Sequence, residues 1–201
     1  MQSIEHQIEM VSKQKPLGTP LFPDNFANLG SPEAIRKALQ RLQDKGILTR
    51  VAQGIYTRPK ETKYAGRVLP TAEDIAEAIA RRDKARTVPT GAYALNALGL
   101  STQIPMKIVI LTDGSPREIK LGNRTIKFKK TTPKNLLPRG KISRLAIQAL
   151  KEIGNGNLAQ EEEHRIVELL KKESLNDLEH DIRLAPVWIQ KIMKKALKWP
   201  K

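Results

Sequence analysis

Residues 31–58 constrain the fold more than any other part of this sequence. Ser31 and Pro32 precede a run in which apolar residues recur at helical spacing, and a glycine closes the run. Serine is a favourable N-cap and proline suits the first helical position. Two short strand-like runs follow, on either side of a turn at Gln53-Gly54. This order of helix, glycine and hairpin predicts a winged helix-turn-helix.

The predicted helix has polar and basic side chains beside its apolar stripe. Arginine and glutamine on an exposed helix can pair with base edges in the major groove, and arginines near a hairpin can reach phosphates. A solvated surface helix is the alternative for the helix alone, and the hairpin favours DNA contact. The predicted DNA-contacting residues are Arg36, Lys37, Gln40 and Arg41 on the helix and Arg50, Gln53 and Arg58 on the hairpin.

The charge of the chain favours a phosphate-bearing partner. Among 201 residues, Lys and Arg outnumber Asp and Glu by 36 to 21, a formal net charge of +15. Such a charge attracts nucleic acid without specifying a fold. Cysteine is absent, which excludes disulfides and thiolate metal sites. No apolar run approaches the roughly 18 residues of a membrane span, so we expect no membrane partner and a cytoplasmic location.

The densest basic stretch, residues 117–144, has ten Lys or Arg against a single Glu. A solvated strand face could have this composition, but the density favours an acidic or phosphate-bearing partner. The predicted partner- or phosphate-binding residues are Arg117, Lys120, Arg124, Lys127, Lys129, Lys130 and Lys134.

The whole pattern predicts an α+β protein of two domains. Residues 1–60 form the winged helix-turn-helix, the polar segment 61–70 is a linker, and 71–201 form a mixed α/β domain. Strand-like runs near 106–112, 118–121 and 125–128 indicate a small antiparallel sheet, with a meander as its simplest form. The C-terminal part is helical by its apolar periodicity.

No catalytic constellation is recognisable in the sequence. The three histidines are far apart, and no phosphate-binding glycine loop or metal-ligand spacing occurs. His180 and Asp181 are neighbours, so we expect their side chains on different helix faces. We therefore expect no enzyme activity, no cofactor and no metal.

Several motifs in order resemble a known family. They are the Lys-Gly-Ile-Leu helix end at 45–48, the hairpin at 50–56, the Gly-Ala-Tyr series at 90–100, the Thr-Asp-Gly series at 109–114, and Lys-Thr-Thr-Pro at 130–133. Together they resemble the antitoxin of the AbiE-type (abortive infection, type IV) bacterial toxin–antitoxin systems.

The resemblance implies a two-part function. The winged helix would bind operator DNA and repress its own operon, with contacts on the helix at 36–41 and the hairpin at 50–58. The C-terminal domain would counter a cognate nucleotidyltransferase-like toxin, and direct contact with that toxin stays open. The alternative is a basic RNA- or nucleotide-binding interaction protein whose main surface is Arg117–Arg144, although few aromatic residues are present for stacking.

Overall fold

The computed structural model describes residues 2–64 and 66–198. Over these residues the chain forms a mixed α+β fold with eight α-helices, three 3₁₀ helices and eight short strands. Contacts group the chain into two compact units, Met1–Arg81 with Ile119–Gly122, and Arg82–Glu118 with Asn123–Lys201. The division into domains 1–60 and 71–201 stays a prediction. None of the helices described is long and apolar enough to cross a bilayer.

Three helical segments form the start of the first unit. They are α1 (Ile4–Lys13), a 3₁₀ helix (Pro23–Leu29) and α2 (Pro32–Asp44). The Ser31 hydroxyl accepts a hydrogen bond from the Ala34 N–H at 3.3 Å, which confirms the predicted N-cap. The apolar stripe of α2 is buried and consists of Ile35, Ala38, Leu39 and Leu42.

A hairpin follows α2. Strands β1 (Thr49–Ala52) and β2 (Ile55–Thr57) pair antiparallel. Gly54 occupies the turn with φ 68°, a conformation that favours glycine. Leu21 joins the hairpin to the core through two backbone hydrogen bonds with Tyr56. The Leu21 N–H donates to the Tyr56 carbonyl at 2.7 Å, and the Tyr56 N–H donates to the Leu21 carbonyl at 2.9 Å.

The segment interpreted as a linker contains a second hairpin. Strands β3 (Lys60–Thr62) and β4 (Gly66–Val68) pair antiparallel, and helix α3 (Ala72–Arg82) follows. Five of the six strand residues are exposed and none is buried. The composition of this segment indicated a linker, because neither strand has the alternation of apolar and polar residues by which a strand is recognised.

A four-stranded sheet with the strand order β5-β6-β8-β7 follows α3. Its strands are β5 (Thr87–Thr90), β6 (Lys107–Thr112), β7 (Arg117–Leu121) and β8 (Arg124–Lys130). Strand β6 pairs antiparallel with β5 but parallel with β8, so the antiparallel meander was wrong. The buried apolar residues of β6 and β8 match in register, Ile108 with Ile126 and Ile110 with Phe128. β7, which has no buried residue, takes the edge.

Helices make up the rest of the second unit. They are α4 (Ala92–Ala97), the 3₁₀ helix Pro133–Leu136, α5 (Lys141–Ile153), α6 (Gln160–Leu170), α7 (Leu175–Leu184), α8 (Val187–Met193) and the 3₁₀ helix Lys194–Lys198. Their core includes Ala146, Leu150, Ile166, Leu170 and Ile189, each with 0% exposure. The predicted helical C-terminal part is confirmed for the residues described.

Candidate nucleic-acid interface

The outward face of α2 carries three of the predicted DNA-contacting residues. Arg36, Lys37 and Gln40 are all exposed, and each interacts with a residue four positions away in the same helix. The contacts are Arg36 Nε to the Pro32 carbonyl at 3.1 Å, Lys37 Nζ to Glu33 Oε1 at 2.9 Å, and Gln40 Nε2 to Asp44 Oδ1 at 2.9 Å. Exposed pairs of this kind contribute little stability, so these side chains can exchange their partners for DNA groups at low cost.

Arg41, unlike those three residues, has a partner outside its own helix. Its Nε donates to Glu5 Oε2 on α1 at 3.0 Å, and Lys45 donates to the other oxygen of the same carboxylate. The hydrogen bond from Lys45 and the positive charges of both residues hold the pKa of Glu5 below its usual value. Arg41 therefore helps to hold α1 against α2 in the free protein.

The three predicted hairpin residues are placed differently from one another. Gln53 is exposed at the tip, and Arg50 is exposed on β1. Arg58 follows the end of β2, away from the tip, and one of its terminal nitrogens donates to the carbonyls of Ser12 at 3.1 Å and Lys15 at 3.4 Å. These carbonyls lie at the C-terminal end of α1, where a positive charge is favourable, so Arg58 stabilises the unit.

The second hairpin carries residues that the sequence did not single out. Tyr64, in the turn between β3 and β4, is 95% exposed, and the neighbouring Lys63 is exposed as well. Arg67 on β4 reaches Glu61 at 3.9 Å and the Thr49 hydroxyl at 3.5 Å, which joins this hairpin to the start of β1. The sequence feature that could have drawn attention to the β3–β4 hairpin is its group of basic side chains. Because apolar and polar residues do not alternate there, those side chains did not indicate a hairpin.

Within the basic stretch, Arg117 is engaged by its own fold. Its guanidinium pairs with Asp83 and lies 5.8 Å from the centre of the Phe128 ring. Partial burial works to raise the pKa of Asp83, but hydrogen bonds and charges from Arg82 and Arg117 outweigh it, and the pKa is lowered. Arg117 is thus a cation that stabilises the second unit.

Lys127 and Lys129 project from the exposed side of β8. They alternate with the buried Ile126 and Phe128, so strand geometry places both lysines on one face. Lys120 on β7 is exposed, as are Lys130 and Lys134, whereas Arg124 is half-buried. In the part of the chain that is described, none of these six predicted residues forms an ion pair.

The N-terminus of α5 is closed by two carboxylates from later in the chain. Asp181 is fully buried and accepts from the N–H groups of Arg139 and Gly140, both at 2.8 Å, and from the Ser143 hydroxyl at 2.7 Å. Glu173 Oε2 accepts from the N–H groups of Ile142 at 2.6 Å and Ser143 at 3.1 Å. A Cβ on Gly140 would lie 2.5 Å from Glu173 Oε2, so glycine leaves space for the carboxylate.

His180 does contact Asp181, contrary to the expectation from helix spacing. His180 Nδ1 lies 2.8 Å from Asp181 Oδ1, because two adjacent side chains can fold back toward each other at the buried carboxylate. The Ser143 hydroxyl donates to Asp181 and is itself fully buried, so the group functions as a helix cap.

Within residues 2–64 and 66–198, no three His, Asp or Glu side chains are arranged to hold a metal ion.

Comparison with known proteins gives similar solved structures and a family. The crystal structure of the RV2827C protein from Mycobacterium tuberculosis is similar over 97% of this chain and 82% of that chain, with a TM-score of 0.46 and 12% identity. No curated protein matches the chain in sequence. The model of a family of unknown function, DUF6088, matches residues 7–178. Because this match covers most of the chain, the protein belongs to the DUF6088 family.

Proposed function

We propose that this protein is a DNA-binding antitoxin of the AbiE type, which represses its own operon and counters a cognate nucleotidyltransferase-like toxin. In this proposal the first unit contains a winged helix-turn-helix. Helix α2 is its recognition helix, and the β1–β2 hairpin is its wing. The motifs between residues 45 and 133 resemble those of AbiE-type antitoxins. This resemblance supports the proposed antitoxin role and the proposed type of toxin.

The observation that carries the DNA-binding part is the arrangement of α2. Its apolar stripe is fully buried, while Arg36, Lys37 and Gln40 form an exposed row with only intrahelical partners. An exposed hairpin tip at Gln53 follows the helix. Guanidinium and amide groups on a helix of this kind read guanine and adenine edges in the major groove.

Two of the predicted contacts would require a rearrangement. Arg41 and Arg58 have partners within the first unit, namely Glu5 and the carbonyl groups at the end of α1. Contact with DNA would therefore replace those bonds. We assign base reading first to Arg36 and Gln40, and phosphate contact first to Lys37 and Arg50.

The test is a fluorescence anisotropy titration of the purified full chain with two duplexes of equal length. One duplex is the sequence directly upstream of its own gene, and the other is a scrambled version. We expect tight binding to the native duplex that persists at raised salt, with weaker and strongly salt-dependent binding to the scrambled duplex. Equal and strongly salt-dependent binding to both would contradict operator recognition.

The antitoxin part requires a separate test in cells. If the reading frame next to this gene encodes a nucleotidyltransferase-like protein, its induction should arrest growth, and co-expression of this chain should restore growth. A variant with Arg36→Ala and Gln40→Ala should retain the rescue while losing repression, because those residues lie on the proposed DNA face. Absence of rescue by the unmodified chain would contradict the antitoxin assignment.

A second candidate function is a basic RNA- or nucleotide-binding interaction protein. The observation that favours it is the pair Lys127 and Lys129, which share one exposed strand face without ion-pair partners in the described residues. Lys127→Ala with Lys129→Ala should then abolish RNA binding and leave duplex DNA binding nearly unchanged. Loss of duplex binding on all sequences alike would instead identify these lysines as DNA phosphate contacts.

A further inference from the structure

We propose that the β3–β4 hairpin is a second DNA-contacting element, in which Tyr64 packs against the duplex and Lys60 and Lys63 contact phosphates. This inference rests on the proposed DNA-binding function and adds a contact outside the recognition helix and the wing. Its residues lie in the segment 60–68, which the sequence alone predicts to be mostly linker.

The exposure of Tyr64 is the first observation. A tyrosine side chain presents a large apolar ring with a polar tip, and such side chains usually find cover in a fold or an interface. The Tyr64 ring is 95% exposed, the highest value among the exposed large hydrophobic residues described. Val68 and Leu69 next to the hairpin are also exposed, at 38% and 43%. The fold therefore leaves the side chains of Tyr64, Val68 and Leu69 largely uncovered.

The lack of a core beneath the hairpin is the second observation. Neither strand contains a buried residue, and each is three residues long. A two-stranded hairpin without a packed face is marginally stable in water. Contact with a partner would supply the burial that the hairpin lacks.

The charge of the hairpin identifies the kind of partner. Residues 60–68 contain three basic side chains and one acidic side chain, namely Lys60, Lys63 and Arg67 against Glu61. Glu61 is the cross-strand neighbour of Arg67. Lys60 and Lys63 are exposed and have no ion pair within the residues described. An aromatic ring beside unpaired lysines is complementary to a nucleic acid, which offers phosphates next to sugars and base edges.

The position of the hairpin allows it to contact the same duplex as the wing. β3 begins three residues after β2 ends, and Arg67 reaches back to Thr49 at the start of β1. The chain from Gln53 to Tyr64 spans eleven residues, so the two tips are at most roughly 40 Å apart. One turn of B-DNA is about 34 Å, so the two tips are separated by at most slightly more than one helical turn.

The experiment compares Tyr64→Ala, Tyr64→Phe and Lys63→Ala with the unmodified full chain, using the native and scrambled duplexes. Tyr64→Ala should weaken binding at least about fivefold on both duplexes, since tyrosine is enriched among the few interface residues whose truncation exceeds that factor. Tyr64→Phe should stay within about twofold, because the ring is retained. Lys63→Ala should reduce the slope of log affinity against log salt by about one, and Tyr64→Ala should leave that slope unchanged.

Two controls separate binding from folding. Met10→Ala removes an apolar side chain on α1 with 46% exposure and should leave binding unchanged. Urea unfolding of Tyr64→Ala should match that of the unmodified chain, because the ring makes almost no contact within the protein.

The outcomes distinguish this inference from the proposed function. If Tyr64→Ala binds as the unmodified chain does while Arg36→Ala loses the native duplex, the hairpin inference is overturned and the recognition helix stands. If the unmodified chain binds neither duplex, both are overturned.

Discussion

Helices α2 and α5 have the same length, 13 residues, and both bury one apolar face, yet their first turns are completed differently. α2 is capped by Ser31, the residue directly before it. α5 follows Gly140, which has no side chain to accept a hydrogen bond, and the first N–H groups donate instead to Glu173 and Asp181. A polar helix terminus or face is therefore available to a partner only where no other part of the fold already binds it.

The largest effect that would test this comparison is the loss of Asp181. Asp181→Ala removes the acceptor of the Arg139 and Gly140 N–H groups and the nearer of the two acceptors of the buried Ser143 hydroxyl. Removal of one partner from such a buried arrangement should lower the free energy of unfolding by about 3 to 5 kcal/mol. Urea denaturation measures the change, and Glu179→Ala, an exposed acidic position on the same helix, is the control. Equal effects of the two substitutions would show that the cap is not structural.

The next effect concerns the open face of α2. Arg36→Ala should lose about 1 to 3 kcal/mol of binding to the native upstream duplex, and much less to a scrambled duplex, if Arg36 reads a base. The matched control is Lys141→Ala, which removes an exposed cation from the first turn of α5. We expect that control to affect both duplexes slightly and alike. Anisotropy titration gives both affinities. Loss of specificity in the Lys141 variant would contradict the claim that base reading belongs to the open face of α2.

The local cap of α2 should have a smaller effect. Ser31→Ala removes the acceptor for the Ala34 N–H and should lower the free energy of unfolding by about 1 kcal/mol. Ser31→Asp should retain most of the stability, because aspartate caps equally well. Urea unfolding distinguishes the two variants, and a stable Ser31→Ala variant would mean that solvent or a neighbouring group replaces the cap.

The smallest effect concerns the exposed ion pairs between α1 and α2. The pKa of Glu5 is lowered by the hydrogen bond from Lys45 and by the charge of Arg41. A carboxylate with a lowered folded-state pKa contributes stability that is present above its ordinary pKa and is lost as the pH falls through the lowered value. Glu5→Gln should therefore flatten the loss of stability in the acidic range. Unfolding free energies measured against pH would contradict this if both proteins gave the same profile.

Much of the fold follows from local patterns. The N-cap of α2, the turn at Gly54 and the helical character of the C-terminal part were predicted, because capping and apolar periodicity are encoded by near neighbours. The pairing of β6 with β8 was not predicted. It depends on matching buried residues such as Ile108 and Ile126 across a sheet, and proximity in sequence favours the wrong neighbour.

The candidate site was predictable to a similar degree. The exposed row of Arg36, Lys37 and Gln40 follows from helical spacing alone. The same spacing could not show that Arg41 bonds Glu5, that Arg58 bonds the end of α1, or that Arg117 pairs with Asp83. Each of those partners lies 34 or more residues away in sequence, so only the folded chain brings them together.

The α+β class, the helix ends and the excess of basic side chains follow from the amino-acid sequence, because these depend on composition and on residues a few positions apart. The tertiary structure decided which of the basic side chains stabilise the protein and which remain exposed. It also decided that Asp181 and Glu173 close α5 and that Tyr64 stands uncovered on a second hairpin. The physical reason is that burial and charge pairing depend on distance in space, which local periodicity does not specify.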